Sequence, residues 1–340
     1  MQHLNLFTEK ERKRLLNKRK GESKFGEHVQ LIPNLTSIYD SINSLDVDYV
    51  IFGVSEDIGV AANHGKTGTY KAWNVVIKFL LNIQSNRFTQ AKNVCVLGHL
   101  DYSDERQRLS EMDTAAKHYI SDLRKMVETI DEDVSYLVAT IIKAGKTPII
   151  IGGGHNNAYG NIKGSGLALN TPINAINFDA HSDFRPEEGR HSGNGFSYAY
   201  AEGFLKRYFI YGLHENYTSE KLLKTLNKIK AVKYCTYEDL EINKSVKPQE
   251  VRELAAKFIS KAPFGIEIDC DAIEHIPSSA MTPSGFSVKQ ARRFVHYFGQ
   301  QEGVTYLHIC EAAPKRKTES TVGKLITYLI TDFIKAKSNV

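Results

Sequence analysis

Eight short runs rich in valine, isoleucine, phenylalanine and tyrosine recur along the chain, and segments of helical length separate them. Runs that are apolar at consecutive positions are typical of parallel strands covered on both faces, because neither face of such a strand meets water. Between two of them, Glu111–Ala144 repeats apolar residues every three or four positions, as an amphipathic helix does. This alternation predicts a three-layer α/β/α fold with a parallel sheet of about eight strands. The runs span residues 47–54, 93–98, 147–154, 173–179, 207–213, 231–237, 264–269 and 304–310.

No feature of the sequence divides this pattern into separate units. The 340 residues, 41% of them hydrophobic, are enough for one large α/β domain. The chain has no internal repeat, low-complexity tract or linker rich in proline and glycine. We therefore predict a single domain over residues 1–340. Its charged N-terminal part, residues 1–45, is expected to be a helical extension.

Charge and cysteine usage limit the class of protein. No apolar stretch is long enough to span a bilayer and the N-terminus is unlike a secretory signal, so we expect a soluble protein without a membrane partner. The net charge of +5 is mild, and the basic cluster in the first twenty residues is better explained as a solvated helix face than as a nucleic-acid contact. The four cysteines show no C-x-x-C spacing, which argues against a zinc ribbon or a disulfide scaffold and favours a reducing cytoplasm.

A group of acidic and imidazole side chains follows the predicted strand at 173–179. In the motif "DAHSD", Asp179, His181 and Asp183 lie at positions i, i+2 and i+4. In an extended backbone this spacing places all three side chains on the same face. Two carboxylates held together in this way repel one another unless a cation lies between them, so the motif indicates a metal site.

Two other predicted strands end in similar groups. "GGGHNNAYG" places His155 after one strand, and it lacks both the third glycine of a dinucleotide motif and the Gly-Lys-Ser/Thr of a phosphate loop. Asp269 and Asp271 follow another strand at positions i and i+2. Any one of these motifs alone is compatible with capping or turn residues, but ligands bind beyond the carboxyl ends of such strands, where all three converge. Two imidazoles and four carboxylates exceed the needs of one tetrahedral zinc and suit two harder ions such as Mn²⁺.

The motifs "GGGHNNAYG", "DAHSD" and "DCDAIEHIPSSAMTPSGFS" resemble the three signatures of the arginase–agmatinase–formimidoylglutamase superfamily, the ureohydrolases, and the resemblance runs from about Asp48 to Phe333. It implies an arginase-like fold with two manganese ions per chain, Asp179 and Asp269 bridging them. The first ion would be held by His155, Asp179, Asp183 and Asp269. The second would be held by Asp179, His181, Asp269 and Asp271. The third signature departs from the family pattern at Glu274 and His275, neither of which is an expected ligand.

The resemblance also implies a mechanism. In the family, two metal ions activate water for attack on the planar carbon of a guanidine or amidine. Asp183 would accept the proton and pass it to the departing amine. Glu311, in "ICEAAP" after the last predicted strand, aligns with the acid that binds the cationic C–N group of the substrate.

The loop after Asp183 favours one branch of the family. Arginases and agmatinases carry histidine two residues beyond "SGN", where this chain has Phe196, and Arg185 stands where arginases have asparagine. The combination resembles formimidoylglutamase. N-Formimidoyl-L-glutamate carries two carboxylates, and Arg185, with Arg190 nearby in the same loop, offers a guanidinium fork that would hold one of them. Ser192 and Asn194 would add neutral hydrogen bonds to the same group.

The implied reaction converts formimidoylglutamate to L-glutamate and formamide in histidine degradation, with a small molecule as the only expected partner. An arginase-type or agmatinase-type hydrolase of another guanidino compound is the main alternative. A single-zinc deacetylase and a non-catalytic metal-binding relative fit the motifs less well, and a homo-oligomer stays open. An alternative role for Arg185 is a salt bridge to Glu187 or Glu188. Arg190 and His191 are also compatible with a role as surface residues only.

Overall fold

The computed structural model describes residues 2–33 and 37–337 and contains one continuous sheet. The described residues form nine strands in the order β1-β3-β2-β4-β9-β8-β5-β6-β7. All eight predicted strands are present and pair in parallel, which confirms the three-layer α/β/α fold. The strands are Leu4–Leu6 (β1), Tyr49–Ser55 (β2), Val94–Asp101 (β3), Thr147–Ile151 (β4), Ile173–Phe178 (β5), Leu205–Leu213 (β6), Val232–Thr236 (β7), Phe264–Asp269 (β8) and Val304–Cys310 (β9).

The helices cover the two faces of the sheet. One apolar core lies between the sheet and α4, α10, α11 and α12, and the other lies between the sheet and α2, α3 and α6 to α9. No helix in the described ranges is long and apolar enough to cross a membrane. The helices are Glu9–Leu15 (α1), Ile38–Asn43 (α2), Ile58–Ala62 (α3), Ala72–Leu80 (α4), Ser103–Glu111 (α5), Tyr119–Lys143 (α6), Asn157–Leu169 (α7), Gly195–Ala201 (α8), Glu220–Lys228 (α9), Pro248–Ile259 (α10), Val288–Gly299 (α11) and Glu319–Lys337 (α12).

The long helix α6 shows why the helical layers form. Its buried apolar residues recur three or four positions apart, so they make one stripe that faces the sheet. Each such side chain contributes about 1.5–3 kcal/mol when it is fully removed from water. The predicted amphipathic stretch began at Glu111, which instead ends α5. The stripe consists of Leu123, Val127, Ile130, Val134, Leu137, Val138 and Ile141.

The N-terminal segment differs from its prediction as a purely helical extension. It contains α1 and α2, but Leu4–Leu6 forms β1, which pairs antiparallel with the edge of β3. The close approach requires Gly98 on β3, because a Cβ there would lie 2.0 Å from the Asn5 carbonyl oxygen. A three-residue strand carries too little periodicity to be recognised in the sequence, and its hydrogen-bonding partner lies about ninety residues away.

The strand order decides where the functional side chains meet. Strands β4, β9, β8 and β5 are consecutive neighbours in the sheet, and all four run parallel. The carboxyl ends of these four strands therefore lie side by side along the same side of the sheet. The last residue of β8 and the loops that follow these strands carry all the predicted ligands and Glu311.

Candidate metal centre

The first group of predicted ligands converges on the ring of His155. Gly152 and Gly153 adopt positive φ angles of 86° and 69°, which lets the chain turn sharply after β4 and bring His155 over the sheet. Nδ1 of His155 lies 2.7 Å from Asp183 Oδ2, 3.1 Å from Asp269 Oδ2 and 3.3 Å from Asp179 Oδ2. All four side chains are buried.

A second group lies beside the first and shares a residue with it. His181, Asp269 and Asp271 each place a ligand atom within 4.8 Å of the others, and Asp269 belongs to both groups. Nδ1 of His181 is 3.6 Å from Asp179 Oδ1 and 3.9 Å from Asp271 Oδ2. The two oxygens of Asp179 thus face different histidines, as a bridging carboxylate requires.

The donor set fits two divalent ions. Burial and the neighbouring charges of Asp271 and Asp179 raise the pKa of Asp269, and burial beside Asp179 raises the pKa of Asp183. The pKa of Asp179 is lowered, because its hydrogen bonds with His155 and His181 outweigh the opposing effect of burial. Buried carboxylates at such distances need cations to balance them. Mixed carboxylate and imidazole donors are suited to Mn²⁺.

Two residues of this site adopt a strained backbone conformation. Asp183 and Glu311 adopt positive φ angles of 44° and 58°. The left-handed region costs a residue with a Cβ about 1–2 kcal/mol. Packing around both residues holds them there, and such strain is typical of functional positions.

Glu311 is oriented into a cavity. Its Oε1 accepts a hydrogen bond of 2.6 Å from the main-chain N–H of His155, whereas its Oε2 is buried and has no hydrogen-bond partner among the described residues. Burial, assisted by the charge of Asp271, raises the pKa of Glu311 to about 8. An unpartnered buried carboxylate oxygen beside a cavity is suited to a ligand that donates hydrogen bonds.

The cavity has a volume of about 270 Å³ and lies directly above the ligand groups. Asp183 and Glu311 are on its wall, together with His181, Asp269 and Asp271 of the second group. Arg185 and Ser192 also line it. The structure therefore brings the predicted metal ligands and most predicted substrate contacts to one place.

Arg185 lies at the exposed side of this cavity. Its Nη1 donates to Asn63 Oδ1 at 2.7 Å and its Nη2 donates to Glu188 Oε1 at 2.8 Å. The salt bridge foreseen as an alternative is therefore present. Asn63 also donates to Ser192 Oγ at 3.2 Å, so it links both predicted substrate contacts. Asn63 was not predicted from the sequence. It follows α3 in the segment beyond the carboxyl end of β2, and ligand-binding residues are expected beyond such strand ends.

Asn194 lies away from the cavity. It is fully buried, and its Oδ1 accepts from Arg190 Nη1 at 2.6 Å and from the His191 N–H at 3.0 Å. Its amide nitrogen donates to the carbonyls of Pro186 and Gly189. The prediction that Asn194 contacts the substrate is thus corrected, because its hydrogen-bonding capacity is used inside the loop.

The two neighbours suggested as surface residues are also buried. Arg190 is 3% exposed and pairs with Asp131 of α6 through hydrogen bonds of 2.7 and 3.2 Å. His191 accepts from the Gly193 N–H at 3.1 Å and lies 3.3 Å from Glu188. Both side chains therefore stabilise the loop that carries Arg185 and Ser192.

Phe196, where arginases have histidine, is a packing residue. Its ring is stacked on Tyr208 at a centroid distance of 4.2 Å. Its edge-to-face contact with His155 has a centroid distance of 5.2 Å. Phe196 thus supports the first ligand group from below and offers no proton relay.

Comparison with known proteins agrees with this geometry. The model of the arginase family matches residues 47–334. Formimidoylglutamase of Streptococcus gordonii is 24% identical over 296 residues, which are 84% of this chain and 83% of that protein. The crystal structure of formimidoylglutamase from Bacillus subtilis has a TM-score of 0.72 at 17% identity and covers 95% of this chain and 94% of its own. Trypanosoma cruzi formiminoglutamase, solved with Mn²⁺, has a TM-score of 0.68 at 19% identity and covers 88% of this chain and 98% of its own.

Proposed function

The chain belongs to the arginase family, and on that premise we propose that it is a dinuclear manganese hydrolase that converts N-formimidoyl-L-glutamate to L-glutamate and formamide. The resemblance to formimidoylglutamases predicted from the sequence motifs is confirmed by the comparisons. The chain is accordingly a hydrolase that acts on a C–N bond of a linear amidine. The substrate and the two metal ions are the parts we propose.

The two ligand groups support a site for two ions. His155, with the acids around its Nδ1, would hold the first ion, and His181 with Asp271 would hold the second. Asp269 is common to both groups, and the two oxygens of Asp179 lie 3.3 Å from His155 and 3.6 Å from His181. This shared placement favours Asp179 and Asp269 as bridging ligands.

Manganese, when bound, supplies the Lewis acidity that activates water for attack on the amidine carbon. The chain itself supplies proton transfer. Asp183 lies on the cavity wall, where its carboxylate would take the proton of the attacking water and deliver it to the departing nitrogen. Water adds to the amidine carbon, the bond from that carbon to the glutamate nitrogen breaks, and the products are formamide and glutamate.

Glu311 provides the observation that carries the amidine assignment. Its Oε2 is buried, unpartnered within the described ranges and adjacent to the cavity. A protonated amidine donates N–H groups and carries a positive charge, so it would satisfy this oxygen and favour the ionised form of the carboxylate. The other oxygen is fixed by the His155 N–H at 2.6 Å, which leaves Oε2 as the free one.

Arg185 supports a substrate that carries carboxylates. The guanidinium has five N–H donors, and the two hydrogen bonds to Asn63 and Glu188 leave others to face the cavity. Ser192 contributes a hydroxyl to the same wall. A cationic group here would repel agmatine, which has no carboxylate, and attract a carboxylate of formimidoylglutamate.

The experiment that tests the function is a comparison of three substrates with the purified protein after loading with Mn²⁺. N-Formimidoyl-L-glutamate, L-arginine and agmatine are each supplied, and formamide, urea and the amine products are measured. We expect turnover of formimidoylglutamate with kcat/KM well above the values for the other two. Faster release of urea from arginine would contradict the proposed substrate and leave the family assignment in place.

A further inference from the structure

A second polar cluster lies beneath His155, on the side away from the metal groups. It consists of Glu267 on β8 with Tyr306 and His308 on β9, all buried. Tyr306 donates to Glu267 Oε1 at 2.7 Å, and His308 Nδ1 lies 2.5 Å from Glu267 Oε2. The two donors hold the carboxylate of Glu267 in one orientation.

The sheet is built to accommodate this cluster. Glu267 and His308 are direct partners across β8 and β9, and Tyr306 is the partner of Gly265. A Cβ at Gly265 would lie 2.1 Å from the Tyr306 ring, so only glycine leaves room for that ring. The hydroxyl of Tyr306 reaches Glu267 because of this space. The cluster therefore depends on specific residues of both strands.

The ring of His155 connects the cluster to the metal groups. Its Nδ1 faces Asp179, Asp183 and Asp269, whereas its Nε2 lies 3.5 Å from Glu267 Oε2. Nε2 is buried and makes no hydrogen bond of good geometry to any described residue. A histidine that binds a metal through Nδ1 carries its proton on Nε2, and a buried N–H needs an acceptor. Glu267 is the carboxylate in position to accept it.

We propose that Glu267, oriented by Tyr306 and His308, is a positioning residue that accepts the Nε2–H of His155 and so directs the Nδ1 lone pair at the first metal ion. The inference rests on the proposed metal centre. A carboxylate that accepts from a ligating histidine fixes its tautomer and orientation, and removing such an acceptor costs about 10- to 100-fold in metal affinity.

The competing arrangement is a third metal site. His155, Glu267, His308 and Cys310 each place a potential ligand atom within 4.8 Å of the others. Both oxygens of Glu267 already accept hydrogen bonds, and Cys310 Sγ lies 3.6 Å from the Ile268 carbonyl oxygen. The observed bonds therefore favour a hydrogen-bonded cluster, and the number of ions bound by the unaltered protein distinguishes the two.

The test is calorimetric titration of the metal-free protein with Mn²⁺, in the unaltered chain and in three variants. Glu267→Leu removes the acceptor, Glu267→Gln keeps a neutral carbonyl, and Tyr306→Phe removes only the donor to the other oxygen. We expect two ions in the unaltered protein and a loss of about 10- to 100-fold at one site in Glu267→Leu. The same site should weaken less in Glu267→Gln and least in Tyr306→Phe.

Melting temperatures of the metal-free variants separate positioning from general stability. Equal weakening of both sites together with a lowered melting temperature would mean that Glu267 is only structural. Unchanged affinity at both sites in Glu267→Leu, or in Glu267→Gln if the leucine variant does not fold, would overturn the inference alone. Fewer than two bound ions in the unaltered protein would overturn the proposed metal centre as well. A third bound ion would show that the cluster around Glu267 is a metal site and not a hydrogen-bonded cluster.

Discussion

The main-chain N–H of His155 donates a hydrogen bond of 2.6 Å to Glu311 Oε1, and the other oxygen of Glu311, at the cavity, has no hydrogen-bond partner in the described part of the chain. The contact arises because β4 and β9 are neighbours, with Ile151 opposite Ile309. One hydrogen bond therefore joins the turn that carries His155, a proposed metal ligand, to the acid proposed to bind the amidine.

Replacing Glu311 by glutamine should leave the metals bound and reduce turnover. Hydrogen bonds to charged groups contribute about 1.5–3 kcal/mol, so kcat/KM should fall roughly 10- to 150-fold. Manganese content, measured by elemental analysis, should match the unaltered protein. The exposed Glu187→Gln is the matched control and should change neither quantity. Loss of a metal ion in Glu311→Gln would show that Glu311 is a ligand.

The shared ligand predicts unequal effects of two substitutions at the metal centre. Asp269→Asn should weaken both ions, because Asp269 belongs to both groups. His181→Asn should weaken only the second ion and leave about one Mn²⁺ per chain. Equilibrium dialysis followed by elemental analysis gives the number of ions in each variant. Retention of one ion in Asp269→Asn would contradict the bridging role.

Arg185→Ala should affect activity more than stability. Arg185 is 46% exposed and its salt bridge with Glu188 is a surface pair, which contributes about 0–1 kcal/mol to folding. If the guanidinium binds a substrate carboxylate, kcat/KM for formimidoylglutamate should fall. The fall should correspond to a loss of about 2 kcal/mol of transition-state stabilisation, which is the low end of the range for desolvated charge pairs. Arg185→Lys should restore little, because an ammonium lacks the two-pronged geometry.

The choice of substrate and a second variant provide the controls for Arg185. Formamidines without carboxylates should be hydrolysed equally by Arg185→Ala and the unaltered protein. Glu188→Gln removes the salt bridge but keeps the guanidinium, so it should retain activity on formimidoylglutamate. Equal losses of Arg185→Ala on both kinds of substrate would mean that Arg185 only supports the loop.

The buried pair of Arg190 and Asp131 should dominate the stability of the site loop. Arg190→Ala leaves a buried carboxylate uncompensated, which typically lowers the free energy of unfolding by about 3–5 kcal/mol. The more exposed pair of Arg292 and Asp332 is the control, and Arg292→Ala should cost about 1 kcal/mol or less. Urea denaturation measures both. Similar midpoints for the two variants would argue against a structural role of Arg190.

His191 should make the protein less stable in mild acid. Burial, with the nearby charges of Arg185 and Arg124, lowers the pKa of His191 to about 4, although Glu188 opposes the shift. At pH values between this pKa and the ordinary pKa of 6.5, the unfolded chain therefore binds more protons than the folded protein does. The stability that comes from neutral His191 is therefore complete above the ordinary value and is lost as the pH falls toward the lower one.

The variant His191→Asn isolates this effect, because asparagine Oδ1 can still accept the Gly193 N–H. The melting temperature of the unaltered protein should fall more steeply from pH 7 to about 5 than that of His191→Asn. Parallel curves for the two proteins would show that His191 does not titrate in this range.

The sequence by itself determined the parallel sheet and placed the six proposed metal ligands and Glu311 at the ends of its strands. Strand periodicity places Asp179, His181 and Asp183 on one face, and parallel strands deliver their ends to one edge, so local pattern and topology together predict the centre. The resemblance to the family added the division into two groups and the proposed role of Glu311. These inferences depend on residues whose roles follow from their own position on a strand.

Only the tertiary structure decided which polar side chains face the cavity and which are used internally. Asn194 and Arg190 occupy the same loop as Arg185, but Asp131 of α6, nearly sixty residues away, binds Arg190 and thereby turns Asn194 inward. The contact between Glu267 and His155 is likewise a result of tertiary packing, here of β8 and β9 against the turn that follows β4. Such contacts join residues distant in the chain, and their energies depend on burial and geometry that no local pattern encodes.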